Sequence, residues 1–123
     1  MNKVFHLSSC DTCQRILTDT NAAAVCALQD IKTANISAEE LDDLAVKVGS
    51  YEALFSKRAL KYRAMGLHEK TLTEQDYRQL ILEEYTFLKR PVIVIGDEIF
   101  VGNTAKVVAE AKKVINGSIN MNV

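Results

Sequence analysis

The sequence predicts an α/β protein with a β-α-β / β-β-α core and an all-helical insert at about residues 37–88. Three observations carry this. A short strand-forming run near the N-terminus leads through a helical segment into a second apolar run, the spacing of a βαβ unit. Near the C-terminus, Val92-Ile93-Val94-Ile95 and Glu98-Ile99-Phe100-Val101 flank Gly96-Asp97, a hairpin signature, and a helical pattern follows. Between these halves lie four helical pieces with no strand among them.

Taken in order, residues 3–7 alternate weakly and are rich in strand formers, which predicts a first, central strand. A helix is expected over about 12–20, with Cys13, Ile16 and Leu17 on one face and Asn21 at its end. Residues 24–29 form a continuous apolar run ending at Asp30, the pattern of a buried parallel strand that contains Cys26. Ser37 and Glu40 make a capping box for a helix to about Val48, with Leu41, Leu44, Ala45 and Val48 as its stripe and Gly49 as its stop. Short helical pieces are expected over 51–55 and 58–65, the second closed by Gly66. Thr73 and Asp76 open another helix with Tyr77, Leu80, Ile81, Tyr85 and Leu88 facing inward. Asn103 or Thr104 caps the last helix, whose apolar positions are Val107, Val108, Ala111, Val114 and Ile115. A polar tail is expected over about 117–123.

Length and composition narrow the function classes. A chain of 123 residues is one domain by length, residues 1–123, and long enough to bury a real core. Fifteen basic residues against sixteen acidic ones leave a net charge of −1, which gives no electrostatic footprint for nucleic acid or an anionic membrane. No segment approaches the ~20 apolar residues of a membrane span, and the N-terminus lacks the apolar run of a signal peptide. Three cysteines with no secretory signal argue for a reducing, cytoplasmic setting rather than a disulfide framework. No second Cys-x-x-Cys and no paired histidines are present, so no metal site is expected.

The chemistry concentrates in Ser8-Ser9-Cys10-Asp11-Thr12-Cys13-Gln14-Arg15, at the junction of the first strand and first helix. Cys10 at a helix N-terminus meets unpaired N–H groups and the positive end of the helix dipole, which favour a thiolate. Cys13, one turn later, is placed to attack a mixed disulfide at Cys10. The plainer reading is two buried thiols packing as small hydrophobes, the role expected of Cys26. Asp11 works against the thiolate, and Arg15 is a candidate for its support. Arg90-Pro91 is the second signal. A cis peptide there would present a backbone edge and Arg90 to the cysteine loop, whereas a trans one leaves a surface arginine beside a strand-starting proline. Lys57, Arg58, Lys61 and Arg63 form either a solvated face or, through Arg58, a contact for an anionic substrate. His6 and Ser8 flank the loop, with His6 expected to pack as a strand residue.

Together, the 8–15 loop, Asp30-Ile31, Leu54-Phe55-Ser56-Lys57-Arg58 with Tyr62 and Gly66-Leu67, and Leu88-Lys89-Arg90-Pro91 before Val101-Gly102 resemble the arsenate reductase/Spx family. The resemblance covers nearly the whole chain, in order and spacing. It implies a thioredoxin-like fold with a helical insert, a catalytic cysteine at Cys10 and a cis-proline at Pro91. It also implies Arg90 in the catalytic set, with Arg58, Pro91, Ser8 and Ser9 toward the substrate. Arsenate reductases of this type carry one nucleophilic cysteine in the loop, so Cys13 makes the chain look more like Spx-type and glutaredoxin-like members. Such reductases also hold the oxyanion with three arginines. Arg90 matches one; Arg58 is displaced by about two residues from the second, with Ser56 where it would fall; and no arginine follows Arg90 to supply the third. The missing contact would cost an arsenate dianion ~1.5–3 kcal/mol, roughly one to two decades of affinity.

The expectation is a thiol-disulfide oxidoreductase with Cys10 as nucleophile and Cys13 as resolving thiol. It would have no tightly bound cofactor, would act on a small thiol or a protein disulfide, and would draw electrons from glutathione or thioredoxin. An Spx-like redox regulator that binds RNA polymerase is the alternative, and a genuine arsenate reductase a second one.

Overall fold

A computed structural model describes residues 2–121. The expected β-α-β, helices, β-β-α order is present, built from β1 (Asn2–His6), α1 (Asp11–Thr20), β2 (Ala27–Asp30), α2 (Ala38–Val48), α3 (Leu60–Ala64), α4 (Glu74–Glu83), β3 (Val92–Ile95), β4 (Glu98–Val101) and α5 (Ala105–Met121). The chain divides into two compact units: Asn35–Lys89, and the segments on either side of it.

The flanking segments form a four-stranded sheet of order β2-β1-β3-β4. β1 is internal, parallel to β2 and antiparallel to β3. Gly96, at φ 60°, makes the turn that returns β3 as β4. Val4 lies opposite Ile93, and with Ile95 these side chains enter one core with Leu17 of α1 and Ala111 and Ile115 of α5. All four residues of β3 are buried, as its unbroken Val/Ile run requires.

Two expectations about this unit need correction. The apolar run at 24–29 is not one buried strand. Ala22–Ala24 is a single 3₁₀ turn, β2 starts only at Ala27, and Leu28 is 46% exposed because β2 is an edge strand. An alanine run has no β-branched residue to hold it extended, and Asn21, left-handed at φ 57°, turns the chain directly into it. Cys26 is therefore buried just ahead of the strand, not within it. The second correction concerns the tail. Residues 117–121 continue α5, with Ile119 packed on the same core one turn beyond Ile115, which offsets the ~1 kcal/mol that Gly117 costs a helix. Residues 122 and 123 lie outside the described residues.

In the helical unit both capping boxes form. Ser37 Oγ accepts from Glu40 N–H at 3.1 Å while Glu40 accepts from Ser37 N–H at 3.0 Å, and Thr73 and Asp76 do the same for α4. Gly49, at φ 100°, ends α2. The 51–55 piece shrinks to a 3₁₀ turn, Glu52–Leu54, whose N-terminus is closed by the Glu74 carboxylate accepting from Tyr51 and Glu52 N–H. The next piece is only α3, with Arg58 in the chain before it. α4 stops at Glu83, so Tyr85 and Leu88 do not lie on its face; a 3₁₀ turn, Tyr85–Phe87, buries Phe87 instead. Phe87 stacks on Phe55 with centroids 4.9 Å apart, and Tyr77 leans on the same ring at 4.9 Å. A bridge from Phe55 to Leu88 closes this cluster.

Candidate active site

The cysteine loop is fixed from three sides. After β1 the chain turns, with Cys10 N–H donating to the Leu7 carbonyl at 3.0 Å. Cys10 is the extended N-cap residue of α1 (φ −98°, ψ 109°), and its carbonyl accepts from Gln14 N–H at 3.1 Å. Its side chain makes no capping bond, and the residue is half-buried at the helix N-terminus. From α1, Gln14 Nε2 donates to the Leu7 carbonyl at 2.9 Å and contacts His6 Nδ1 at 3.2 Å. From the end of β2, Asp30 Oδ1 accepts from Ser8 N–H at 3.3 Å and from Lys32 N–H at 3.1 Å.

Cys13 lies deeper than Cys10. It is only 1% exposed. Burial pushes its thiol up, a backbone hydrogen bond from Leu7 pulls it down, a negative charge on Cys10 raises it, and Arg90 lowers it. Asp30 adds a further small upward push. A half-buried cysteine followed one turn later by a buried one is the asymmetry that thiol exchange within a pair requires. All three cysteines are free thiols.

The Arg90-Pro91 peptide is cis. Val92 pairs with Phe5, so Arg90 and Pro91 lie at the end of the sheet where the cysteine loop leaves β1. The Pro91 carbonyl accepts from Gly102 N–H at 2.9 Å, which fixes this entry to β3. The structure thus brings Cys10, Cys13, Arg90 and Pro91 to one end of the sheet, with Ser8 and Ser9 exposed on the loop. The N–H and hydroxyl of Ser8 are already engaged by Asp30; the hydroxyl is the main reason the Asp30 carboxyl sits below the usual carboxylate range. Arg15 is exposed on α1, and the arginine that acts on Cys13 is Arg90. Arg58 belongs to the helical unit, where it is exposed ahead of α3.

Sequence reasoning missed Gln14 and Asp30 as parts of the site. Gln14 had a readable signal, standing four residues after Cys10 and hence on the same side of the helix, whereas Asp30 is placed only by the register of β1 against β2, which sets it opposite His6.

The model of the ArsC family matches residues 5–111. No curated protein matches the chain in sequence. Among solved structures, an ArsC-family-related protein from Bacteroides fragilis superposes with a TM-score of 0.76 at 21% identity, covering 89% of this chain and 96% of its own. An arsenate reductase from Vibrio cholerae gives 0.75 at 18% identity, with coverage of 89% and 96%. A solution structure from Staphylococcus aureus COL gives 0.72 at 25%, with coverage of 89% and 97%. The fold shared with these proteins is thioredoxin-like with a helical insert.

Proposed function

The chain belongs to the ArsC family, and on that footing we propose that it is a thiol-disulfide oxidoreductase with Cys10 as nucleophile and Cys13 as resolving thiol. The observation that carries this reading is the asymmetric pair: a half-buried Cys10 at the α1 N-terminus and a buried Cys13 one turn on, under the field of Arg90.

The Cys10 thiolate attacks one sulfur of a substrate disulfide. A Cys10–substrate disulfide forms, the substrate S–S bond breaks, and the departing thiolate takes the electron pair and then a proton from water. Cys13, having given its proton to solvent, attacks the Cys10 sulfur. The Cys10–Cys13 bond forms and the second substrate thiolate leaves. The substrate gains two electrons and the pair loses two, which two equivalents of a thiol such as glutathione, or a thioredoxin-like dithiol, restore. Cys10 and Cys13 sit three apart on one helical turn, which suits intramolecular closure.

Arsenate is the less favoured substrate. The chain holds no arginine beyond Arg90, so one of three charge-assisted contacts expected for a dianion is missing. The test is reduction of a glutathione mixed disulfide, and of arsenate, by the unaltered protein and by Cys10→Ser. Disulfide turnover lost in Cys10→Ser is expected. No turnover on either substrate, with RNA polymerase co-purifying from cells, would replace this reading by the Spx-like regulator.

A further inference from the structure

We propose that Gln14 is the positioning residue of the two-cysteine loop, holding His6 in the tautomer protonated on Nε2 with Nδ1 as an acceptor. This inference rests on the exchange reading of the pair, but its structural half can be tested without it.

The argument begins with the amide. A carbonyl oxygen only accepts, so the group that Gln14 turns toward the Leu7 carbonyl at 2.9 Å must be its NH₂. The same nitrogen lies 3.2 Å from His6 Nδ1. An amide nitrogen with two hydrogens donates both and accepts none, so Nδ1 carries no hydrogen and the ring proton sits on Nε2. Turning the amide over would satisfy a protonated Nδ1, but it would set two carbonyl oxygens against each other at Leu7. Both partners therefore fix one arrangement.

The consequence lies in what Leu7 does for the cysteines. Its carbonyl receives Cys10 N–H at 3.0 Å, and its backbone favours the ionised form of the Cys13 thiol. Gln14 is thus tied, through one residue, to the backbone that acts on both cysteines. His6 is buried, so its ring provides a rigid second anchor at the end of β1. The charged and titratable groups around the ring are Asp30, directly across from His6 on β2, and Cys13 and Arg90, both within electrostatic reach of the loop. None of them offers Gln14 an alternative acceptor in the hydrogen bonds formed.

The chain has only two histidines, His6 and His68, so ¹⁵N–¹H long-range correlation of the ring nitrogens reads the tautomer directly, with His68→Gln giving the assignment. A hydrogen-free Nδ1 and a protonated Nε2 are expected for His6. In Gln14→Glu the carboxylate cannot donate, and the proton is expected to move onto Nδ1. The second readout is resolution. In a Cys26→Ala background, Cys10 is loaded with 5-thio-2-nitrobenzoate, and its release by Cys13 is followed by absorbance. Gln14→Met is expected to slow release about tenfold, the weight of one hydrogen bond lost from the reacting geometry. A His6 proton on Nδ1 in the unaltered chain, a tautomer indifferent to Gln14→Glu, or an unchanged release rate overturns the inference. Should Gln14→Met fail to fold, release in Gln14→Glu decides the same point. An unaltered chain that releases no thiol refutes the exchange reading instead, and the ring spectrum then judges Gln14 alone.

Discussion

The two units use their polar side chains for opposite purposes. In the sheet unit the frame is apolar: strand register and the Val4, Leu17, Ile93, Ile95, Ala111 and Ile115 core hold it together. At one end of it Gln14, Asp30 and His6 fix the loop that bears the cysteines, while Asn2 at the other end of β1 bonds Val25 and Gly96. In the helical unit the polar groups hold up the architecture itself. Arg78 makes a two-point contact with Asp42 at 2.8 and 3.2 Å, and Tyr51 Oη donates to the same carboxylate at 2.6 Å. Glu74 closes the neighbouring turn, and two capping boxes start α2 and α4. Helices of 11, 5 and 10 residues are too short to persist by themselves, so this unit needs its caps and its aromatic cluster. The difference teaches where to look for chemistry. An Asp–Arg pair is an anchor in one unit, while in the other Arg90 acts electrostatically on a buried thiol.

Breaking the comparison from the functional side should give the largest effect. Cys10→Ser is expected to abolish disulfide turnover while leaving the denaturation midpoint almost unmoved, because its side chain makes no capping bond. Cys13→Ser is expected to retain the first step and accumulate a stable adduct at Cys10, visible as added mass in intact-protein spectrometry. Breaking it from the structural side reverses the pattern. Phe55→Ala removes the ring that stacks on Phe87 and leans on Tyr77, and should cost ~3–5 kcal/mol in urea unfolding. Thr73→Ala should cost about 1 kcal/mol through loss of the α4 cap. The smallest effect concerns acid. Arg78, and after it Tyr51, hold the Asp42 carboxyl below its usual range. Its contribution to stability is therefore present above the unfolded value near ~4 and is lost as pH falls through the lower folded one. Asp42→Asn should flatten that part of the stability profile at low pH, while Cys10 reactivity at neutral pH stays the same.

Much of this arrangement was legible in the sequence. The hairpin about Gly96-Asp97, both capping boxes and the order of elements follow from local chemistry, which acts over a few residues. The cysteine pair could be placed at the end of a strand because helix and strand periods change there. What could not be read depended on neighbours distant in the chain. Residues 24–29 look like a buried strand by composition, but β2 has a partner on one side only, and nothing local says so. Gly117 looks like a helix stop, and only the core beneath Ile119 keeps the helix going. The role of Asp30 requires the pairing of β1 with β2, twenty-two residues away from Ser8. Arg58 and Arg90 looked alike as candidate anion holders; the fold brings Arg90 within electrostatic reach of Cys13 and leaves Arg58 exposed in the helical unit.

The electrostatic coupling between the two sulfurs has a consequence for timing. A negative Cys10 discourages ionisation of Cys13, on top of the penalty from burial. On the proposed exchange reading, a charged Cys10 makes the proton of its neighbour harder to remove. Once Cys10 is bonded to a substrate sulfur its charge is gone, and Cys13 is released from that restraint while Arg90 and the Leu7 hydrogen bond continue to favour its thiolate. If the pair works as proposed, capture at Cys10 thus removes one of the restraints on Cys13 and so favours its own release.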